Sequence, residues 1–176
     1  MNGLDIATRV ALIVASFTLA VNSSVELFSH LHGSSAAGST PARTMPLPFR
    51  AGQKAPIISG VDYSTSERTM VLFLSTNCGF CRQSAPFYRE LSTKVASNKN
   101  RKLVGIFPQN AIEVAQYKQH EQFDFDVISD MPLGDAGVSG TPTMLLVSRN
   151  GTVIRAWIGA PRPQEKEAIA SALLGG

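Results

Sequence analysis

A continuous apolar run at residues 69–75 (TMVLFLS) limits the folds open to this chain more than any other feature. A strand with one face in water alternates apolar and polar residues, whereas this run has no polar residue between Met70 and Leu74. It therefore predicts a strand that is buried on both faces. Residues 102–107 (KLVGIF) have the same character. Two such strands with a helical segment between them predict an α/β domain, with a central mixed sheet and helices on both faces.

Strand-like and helix-like patterns alternate along the rest of the domain. Apolar positions after Cys78 recur at helical spacing and predict a helix over residues 78–97. Asn110 followed by Glu113 has the pattern of a helix N-cap and predicts a helix over residues 111–120. The remaining predicted elements are strands at 55–61, 125–129, 143–148 and 152–158, the last two joined by an Asn-Gly hairpin turn, and a terminal helix at 163–174.

The first 32 residues differ in kind from the rest of the chain. Residues 10–21 carry no charge, but twelve helical residues extend only about 18 Å, short of the roughly 30 Å hydrocarbon core of a bilayer. Two interpretations stay open for residues 1–32, a cleaved signal peptide and an uncleaved signal anchor. In either case the segment would export the domain. Residues 33–50 are rich in Gly, Ser, Ala and Pro and predict a flexible linker. The folded domain is then expected at residues 51–176, the size of one ordinary domain.

The charge of the chain does not indicate a nucleic-acid partner. Sixteen Lys and Arg against 13 Asp and Glu give a formal charge of +3. The basic residues are dispersed and are not interleaved with aromatic residues, which excludes a nucleic-acid surface. The sequence has no P-loop, GxGxxG or HExxH motif, so we predict neither a cofactor nor a metal.

The only two cysteines of the chain, Cys78 and Cys81, lie three residues apart at the start of a predicted helix. A disulfide over so short a loop constrains little of the unfolded chain, so exchange chemistry explains the pair better than a structural bond. Free N–H groups and the helix dipole at the first turn favour a thiolate at Cys78. We therefore expect Cys78 to attack a substrate disulfide and Cys81 to resolve the mixed disulfide. Gly79 leaves room for the substrate, and Phe80 offers it an apolar contact.

A second candidate site is the Gly-Thr-Pro-Thr segment at residues 140–143. Proline is disfavoured inside a central strand, so Pro142 at the first edge of a strand predicts a cis Thr141–Pro142 bond beside Cys78. The backbone of Thr141 is then free to pair with an extended substrate segment. We predict Thr141 and Pro142 as substrate-binding residues.

These features together resemble the thioredoxin superfamily: Cys-Gly-Phe-Cys after a buried strand, Pro86 five residues beyond the second cysteine, Gly-Thr-Pro-Thr before a strand, and the Asn-Gly hairpin. With the exported start, the run DAGVSGTPTMLLVSRNGTVI is similar to that of TlpA/ResA-type membrane-tethered thiol–disulfide oxidoreductases. The resemblance covers about residues 51–174. It implies a thioredoxin-like fold in which Cys78 is the nucleophile, Cys81 the resolving cysteine and Pro142 the cis proline.

The same resemblance implies a place and partners for the protein. It implies a bacterial cell-envelope location, with the domain anchored on the extracytoplasmic side of a membrane, or periplasmic or secreted if the N-terminal segment is cleaved. The substrate would be a protein that bears a disulfide, and an upstream thiol donor would return electrons to the domain.

Three positions depart from the common pattern of the family. Leu72 stands where thioredoxins carry a buried Asp, Asn77 where they carry Trp, and Ser84 where cytochrome-maturation members such as ResA carry Glu. No acid that could manage the proton of Cys81 is therefore evident, so water or an acid brought close by the fold would have to serve. The Gly-Phe pair between the cysteines contains no histidine, which favours a reducing potential of about −270 mV over one of about −120 mV.

Two alternatives stay open at this point. A peroxiredoxin-like peroxidase has a similar fold and a Thr near its cysteine, as Thr76 is here, but the preceding residues lack the proline of such a site. A Sco-like copper-binding module would use both cysteines and a distant histidine, for which His120 is the only histidine of the domain.

Overall fold

The computed structural model describes residues 49–175. Five strands form the sheet: β1 (Arg68–Phe73), β2 (Arg101–Ile106), β3 (Asp126–Ile128), β4 (Thr143–Ser148) and β5 (Val153–Ile158). The α-helices are α1 (Gly79–Ala96), α2 (Ala111–His120) and α3 (Pro163–Leu174), and short 3-10 turns lie at Tyr63–Thr65 and Leu133–Ala136. The predicted bounds of α2, α3 and β4 are confirmed. Helix α1 and the other four strands also form, and their ends differ from the predicted ones by at most two residues.

The sheet is mixed, as predicted, with strand order β3-β2-β1-β4-β5. The first three strands run parallel, whereas β4 is antiparallel to both β1 and β5. Strand β1 lies at the centre of this sheet, and Met70 to Phe73 are fully buried. The continuous apolar run of the sequence therefore reflects a strand with a neighbour on each edge and packed residues on each face.

The α-helices cover one face of the sheet, so the expectation of helices on both faces is wrong. Buried residues of α1, α2 and α3 form one cluster with Met70 and Leu72. The opposite face, which includes Val71 and Phe73, is covered by residues of the segment before β1 and of the loop before β4. The chain moves from β1 to β2 to β3 in one direction across the sheet, so successive right-handed crossovers place α1 and α2 on the same side.

The predicted strand at residues 55–61 is also wrong. Lys54 makes one isolated bridge to Thr152, after which the chain leaves the sheet. Ile58 packs against the open face of the sheet, whereas the side chain of Ile57 is 98% exposed. The segment is apolar because it covers the sheet, not because it pairs as a strand. A short apolar sequence pattern is the same in both cases.

The predicted N-terminal hydrophobic segment, residues 1–32, and residues 33–48 of the predicted linker lie outside the described residues. Within residues 49–175, no helix combines the length and the apolarity needed to cross a membrane.

Candidate active site

The register of two neighbouring strands brings the two predicted site segments together. Phe73, the last residue of β1, pairs with Thr143, the first residue of β4. Since the strands are antiparallel, the loop that leaves β1 and the loop that enters β4 meet at the same end of the sheet. Cys78 lies in the first of these loops and Thr141 in the second. The thiol of Cys78 donates a hydrogen bond to the carbonyl oxygen of Thr141, at 3.4 Å.

Cys78 is the N-cap residue of α1. Its backbone is extended (φ −89°, ψ 113°), and its sulfur accepts a hydrogen bond from the backbone N–H of Cys81 at 3.1 Å. The pKa of Cys78 is lowered: partial burial opposes ionisation, but hydrogen bonds from the Cys81 thiol, from the Thr141 side chain and from backbone N–H groups outweigh it. Donors at a helix N-terminus stabilise negative charge in this way.

Cys81 lies one turn further along α1 and is fully buried. Both cysteines are free thiols. Burial, followed by the hydrogen bond that it gives to Cys78, raises the pKa of Cys81 to about 12. The two sulfurs of one motif therefore have opposite protonation preferences, because one lies at the surface end of the helix and the other inside the core.

The Thr141–Pro142 bond is cis, as predicted from the sequence. Pro142 is buried, and its carbonyl oxygen accepts the N–H of Gly159 at 2.7 Å. Thr141 is half-buried, and its N–H donates no hydrogen bond to any residue within 49–175. One backbone donor beside Cys78 is thus available to a bound chain.

Gly79 and Phe80 occupy the exposed side of the motif. A side chain added at Gly79 would meet no atom within 4 Å, so the space above the motif is open. The Phe80 ring is 65% exposed, although its spacing along α1 resembles that of the buried positions. An exposed aromatic ring next to Cys78 can contact an apolar side chain of a partner.

Two polar residues that the sequence analysis did not select hold the loop before Cys78. The side-chain amide of Gln109 donates to the hydroxyl of Ser75 at 2.8 Å, and its oxygen accepts the N–H of Thr76 at 3.3 Å. The carbonyl oxygen of Ser75 in turn accepts the N–H of Cys78 at 3.1 Å. Gln109 lies 33 residues after Thr76 in the chain, and only the parallel pairing of β1 with β2 brings them together.

The family departures at Leu72 and Ser84 explain the environment of Cys81. Leu72 is fully buried in the same core cluster as Cys81, so this cluster has an apolar residue at the position where thioredoxins have a carboxyl group. Ser84 is also buried, and its hydroxyl donates to the carbonyl oxygen of Phe80 at 2.8 Å. Neither residue supplies an acid.

No group of three or more His, Cys, Asp and Glu side chains within residues 49–175 is arranged to hold a metal ion. His120, the histidine considered for copper, lies at the end of α2, and its Nδ1 is 3.2 Å from the carboxylate of Glu121.

Sequence comparison assigns the chain to a family. The family described as thioredoxin-like domain matches residues 63–173, which include both cysteines and Pro142. The chain belongs to this thioredoxin-like family. A sequence comparison with curated proteins gives no match.

Solved structures of the same superfamily agree with this assignment. A thiol:disulfide interchange protein DsbE from Chlorobium tepidum is 28% identical, with a TM-score of 0.58 over 72% of this chain and 99% of that one. Two more distant structures support the fold alone. The thioredoxin domain of the thiol-disulfide oxidoreductase BVU-2223 from Bacteroides vulgatus is 13% identical (TM-score 0.59, 71% and 99% covered), and StoA from Bacillus subtilis is 20% identical (TM-score 0.51, 69% and 98% covered).

Membership of the thioredoxin-like family confirms the resemblance that the sequence motifs indicated. It also confirms the enzyme class, a thioredoxin-like oxidoreductase that exchanges thiols and disulfides.

Proposed function

We propose that this thioredoxin-like domain reduces disulfide bonds of proteins outside the cytoplasm through its Cys78-Gly-Phe-Cys81 dithiol. One observation carries the assignment of roles: Cys78 has a lowered pKa at the tip of α1, whereas burial raises the pKa of Cys81 to about 12. Because the thiolate is the nucleophile in exchange, this asymmetry makes Cys78 the attacking sulfur and Cys81 the resolving one.

The reaction proceeds in two exchange steps. The Cys78 thiolate attacks one sulfur of the substrate disulfide, the substrate S–S bond breaks, and the first substrate thiolate leaves and takes a proton from solvent. The Cys81 thiol then loses its proton, and its sulfur attacks the sulfur of Cys78. The disulfide between Cys78 and the substrate breaks, and the second substrate sulfur leaves as a thiolate that takes a proton from solvent. Two electrons have passed from the dithiol to the substrate, and an upstream thiol donor must return them.

The substrate is expected to bind as an extended segment across the cis-proline loop. The free N–H of Thr141 pairs with a backbone carbonyl of that segment, in the manner of an added strand. Pro142 fixes the loop that carries this N–H, Gly79 leaves the approach to Cys78 open, and Phe80 supplies an apolar contact. These contacts use the substrate backbone mainly, so they suit more than one substrate sequence.

The direction of transfer and the location of the protein follow from the motif and the relatives. No histidine lies between the cysteines to stabilise the thiolate further, which supports a potential nearer to about −270 mV than to about −120 mV. The similarity to a thiol:disulfide interchange protein supports the cell envelope as the place of action. Residues 1–32 would export the domain and, where they are retained, attach it to the membrane.

A mixed-disulfide trap tests the assignment of roles. Cys81→Ser removes the resolving sulfur, so a substrate that Cys78 attacks should stay covalently attached. The full chain carrying Cys81→Ser is incubated with insulin, and adducts are analysed by non-reducing electrophoresis and mass spectrometry. We expect a stable adduct at Cys78 that dithiothreitol releases.

Cys78→Ser is the matched control, since it keeps one cysteine of the same motif. It should form no adduct and should not support insulin reduction. Equal trapping by both variants, or steady-state turnover by Cys78→Ser, would contradict the assigned roles.

A further inference from the structure

A cleft opens on the side of the active site, where α1 faces α2. Its lining includes Thr76, two residues before the nucleophile, together with Arg82, Glu113, Tyr117, His120 and Glu121. We call it the side cleft. The side cleft has the carboxyl group of Glu121 in its lining, together with Arg82, the residue that follows Cys81. Leu72 and Ser84, which stand where relatives carry an acid, supply no carboxyl group.

Glu121 is a buried acid at the inner wall of the side cleft. It is only 8% exposed, which is uncommon for a glutamate. Its carboxylate contacts Nδ1 of His120 at 3.2 Å, and its backbone oxygen accepts a hydrogen bond from Arg89 of α1 at 2.9 Å. These contacts hold Glu121 between α1 and α2 rather than in open solvent.

Tyr117 lies one helical turn before Glu121 and connects the side cleft with the core. Its ring packs edge-on against Phe107 and Phe123, with 5.8 Å between ring centroids in each pair. The hydroxyl is buried and has no hydrogen-bond partner among residues 49–175. Because buried hydroxyl groups are normally satisfied by protein or water, this one is suited to hold a water molecule.

Tyr117 belongs to the same buried core cluster as Cys81, and it lines the side cleft together with Glu121. Burial raises the pKa of Tyr117 most, and negative charge on Glu121, Cys81 and Cys78 raises it further, while Arg82 acts in the opposite direction. The phenol therefore stays neutral, with one proton to donate and lone pairs to accept another.

We propose that Glu121 accepts the proton that Cys81 loses during resolution, and that the Tyr117 hydroxyl, with water in the side cleft, conducts it. The inference rests on the proposed roles of Cys78 and Cys81. A thiol with a pKa raised by burial needs a base before it can attack, and a positioned base accelerates such a step.

The proton path balances as follows. The Cys81 thiol passes its proton through water to the oxygen of Tyr117, and the original hydroxyl proton of Tyr117 moves on to the carboxylate of Glu121. The Cys81 sulfur forms its bond to Cys78 as the mixed disulfide breaks, and the substrate leaves as a thiolate. Glu121 then releases the proton to solvent through the side cleft, and the leaving thiolate takes a proton from solvent.

The charged groups around this path come from both helices. Arg82 of α1 lines the side cleft, and Arg89 of α1 binds the backbone oxygen of Glu121. Glu113 and His120 of α2 line the side cleft, and His120 contacts the carboxylate directly.

Reaction of the reduced protein with 5,5′-dithiobis(2-nitrobenzoate) separates the two exchange steps. Attack by Cys78 releases one thionitrobenzoate and leaves a mixed disulfide, and attack by Cys81 releases the second. The two phases are followed by stopped-flow absorbance between about pH 5 and about pH 9, a range that spans ordinary carboxyl and thiol pKa values.

The test compares two variants of the proposed path, Tyr117→Phe and Glu121→Gln, with the unmodified protein. Tyr63→Phe is the control, because the Tyr63 hydroxyl donates to the carbonyl oxygen of Pro56 and its ring packs on the opposite face of the sheet.

We expect Tyr117→Phe and Glu121→Gln each to slow the second phase by about tenfold or more at neutral pH, with recovery at alkaline pH. The first phase should not change, and Tyr63→Phe should match the unmodified protein in both phases. A second phase that keeps its rate and pH profile in both variants overturns the proposal, as does an equal loss in Tyr63→Phe. A wrong assignment of roles to Cys78 and Cys81 would give a different result, because the first phase would then persist in Cys78→Ser.

Discussion

The backbone N–H of Cys81 donates a hydrogen bond to the sulfur of Cys78 across 3.1 Å. In other helices, the N–H at the equivalent position commonly binds the side-chain oxygen of a Ser, Thr, Asp or Asn cap. Here a sulfur takes the place of that oxygen, so the donor that caps α1 also stabilises the thiolate form of Cys78. The geometry that begins the helix is therefore the same geometry that lowers the pKa of Cys78.

Selective alkylation should separate the two cysteines by pH. Since the pKa of Cys78 is lowered and that of Cys81 is raised to about 12, iodoacetamide should modify Cys78 with a midpoint below the ordinary thiol value of about 8.5. Cys81 should stay unmodified across the same range. Peptide mass spectrometry after timed quenching measures both, and faster modification of Cys81 in the folded protein would contradict the buried role given to it.

Phe80→Ala should reduce activity without reducing stability. The ring is 65% exposed, so its removal takes away little buried area, and we expect a change in the free energy of unfolding within about 0.5 kcal/mol. The KM for insulin reduction should rise, because an apolar contact beside Cys78 is lost. Ile57→Ala, at the most exposed large apolar residue within residues 49–175, is the control for surface hydrophobicity and should leave the KM unchanged. A matching rise there would mean that Phe80 has no specific contact.

Gly105→Ala should destabilise the domain by overpacking. A Cβ at this position of β2 would lie 3.0 Å from ring carbons of both Phe107 and Phe125. Shifting two buried rings is expected to cost about 1–3 kcal/mol, measured as the free energy of unfolding in urea. Gly134→Ala is the control, since a Cβ there meets no atom within 4 Å. Equal stability of the two variants would show that the rings move aside freely.

Asn110→Ala should weaken the start of α2. The Asn110 side-chain oxygen accepts the N–H groups of Ile112 and Glu113, at 3.1 and 3.0 Å. Loss of such a cap costs about 1 kcal/mol, and Asn110→Ser should recover most of it because a serine oxygen can accept the same N–H groups. Chemical denaturation of the three proteins measures the difference. If serine is no better than alanine, these hydrogen bonds do not contribute to stability.

Stability should fall in alkaline solution. Burial raises the pKa of Tyr63 to about 12, and Cys81 behaves in the same way. Each group stays neutral in the folded protein while the unfolded chain ionises, so its contribution is present below the ordinary pKa and is lost as pH rises towards about 12. Urea titrations at about pH 7 and about pH 10 should show the loss, and Tyr63→Phe should reduce it. A pH-independent free energy of unfolding would count against this explanation.

Local sequence patterns determined much of this protein. The apolar run of β1, the Asn110 cap, the Asn-Gly hairpin and the spacing of Cys78 and Cys81 depend on neighbouring residues only, so the helices, most strands and the dithiol could be predicted. The cis bond before Pro142 was also predictable, because a proline at the edge of a central strand has few alternatives. The segment 55–61 was misassigned, since covering a sheet and joining it require the same apolar residues.

Only the tertiary structure decided which distant residues surround the motif and which face of the sheet the helices cover. Strand order places Gln109 against the loop before Cys78, and the crossover to α2 brings Tyr117 and Glu121 to its side. These residues carry no distinctive local pattern, so nothing in their immediate sequence marks them. Chain topology sets the distances between such groups, and burial and charge interactions act through those distances, which is why the environment of Cys81 emerged only with the fold.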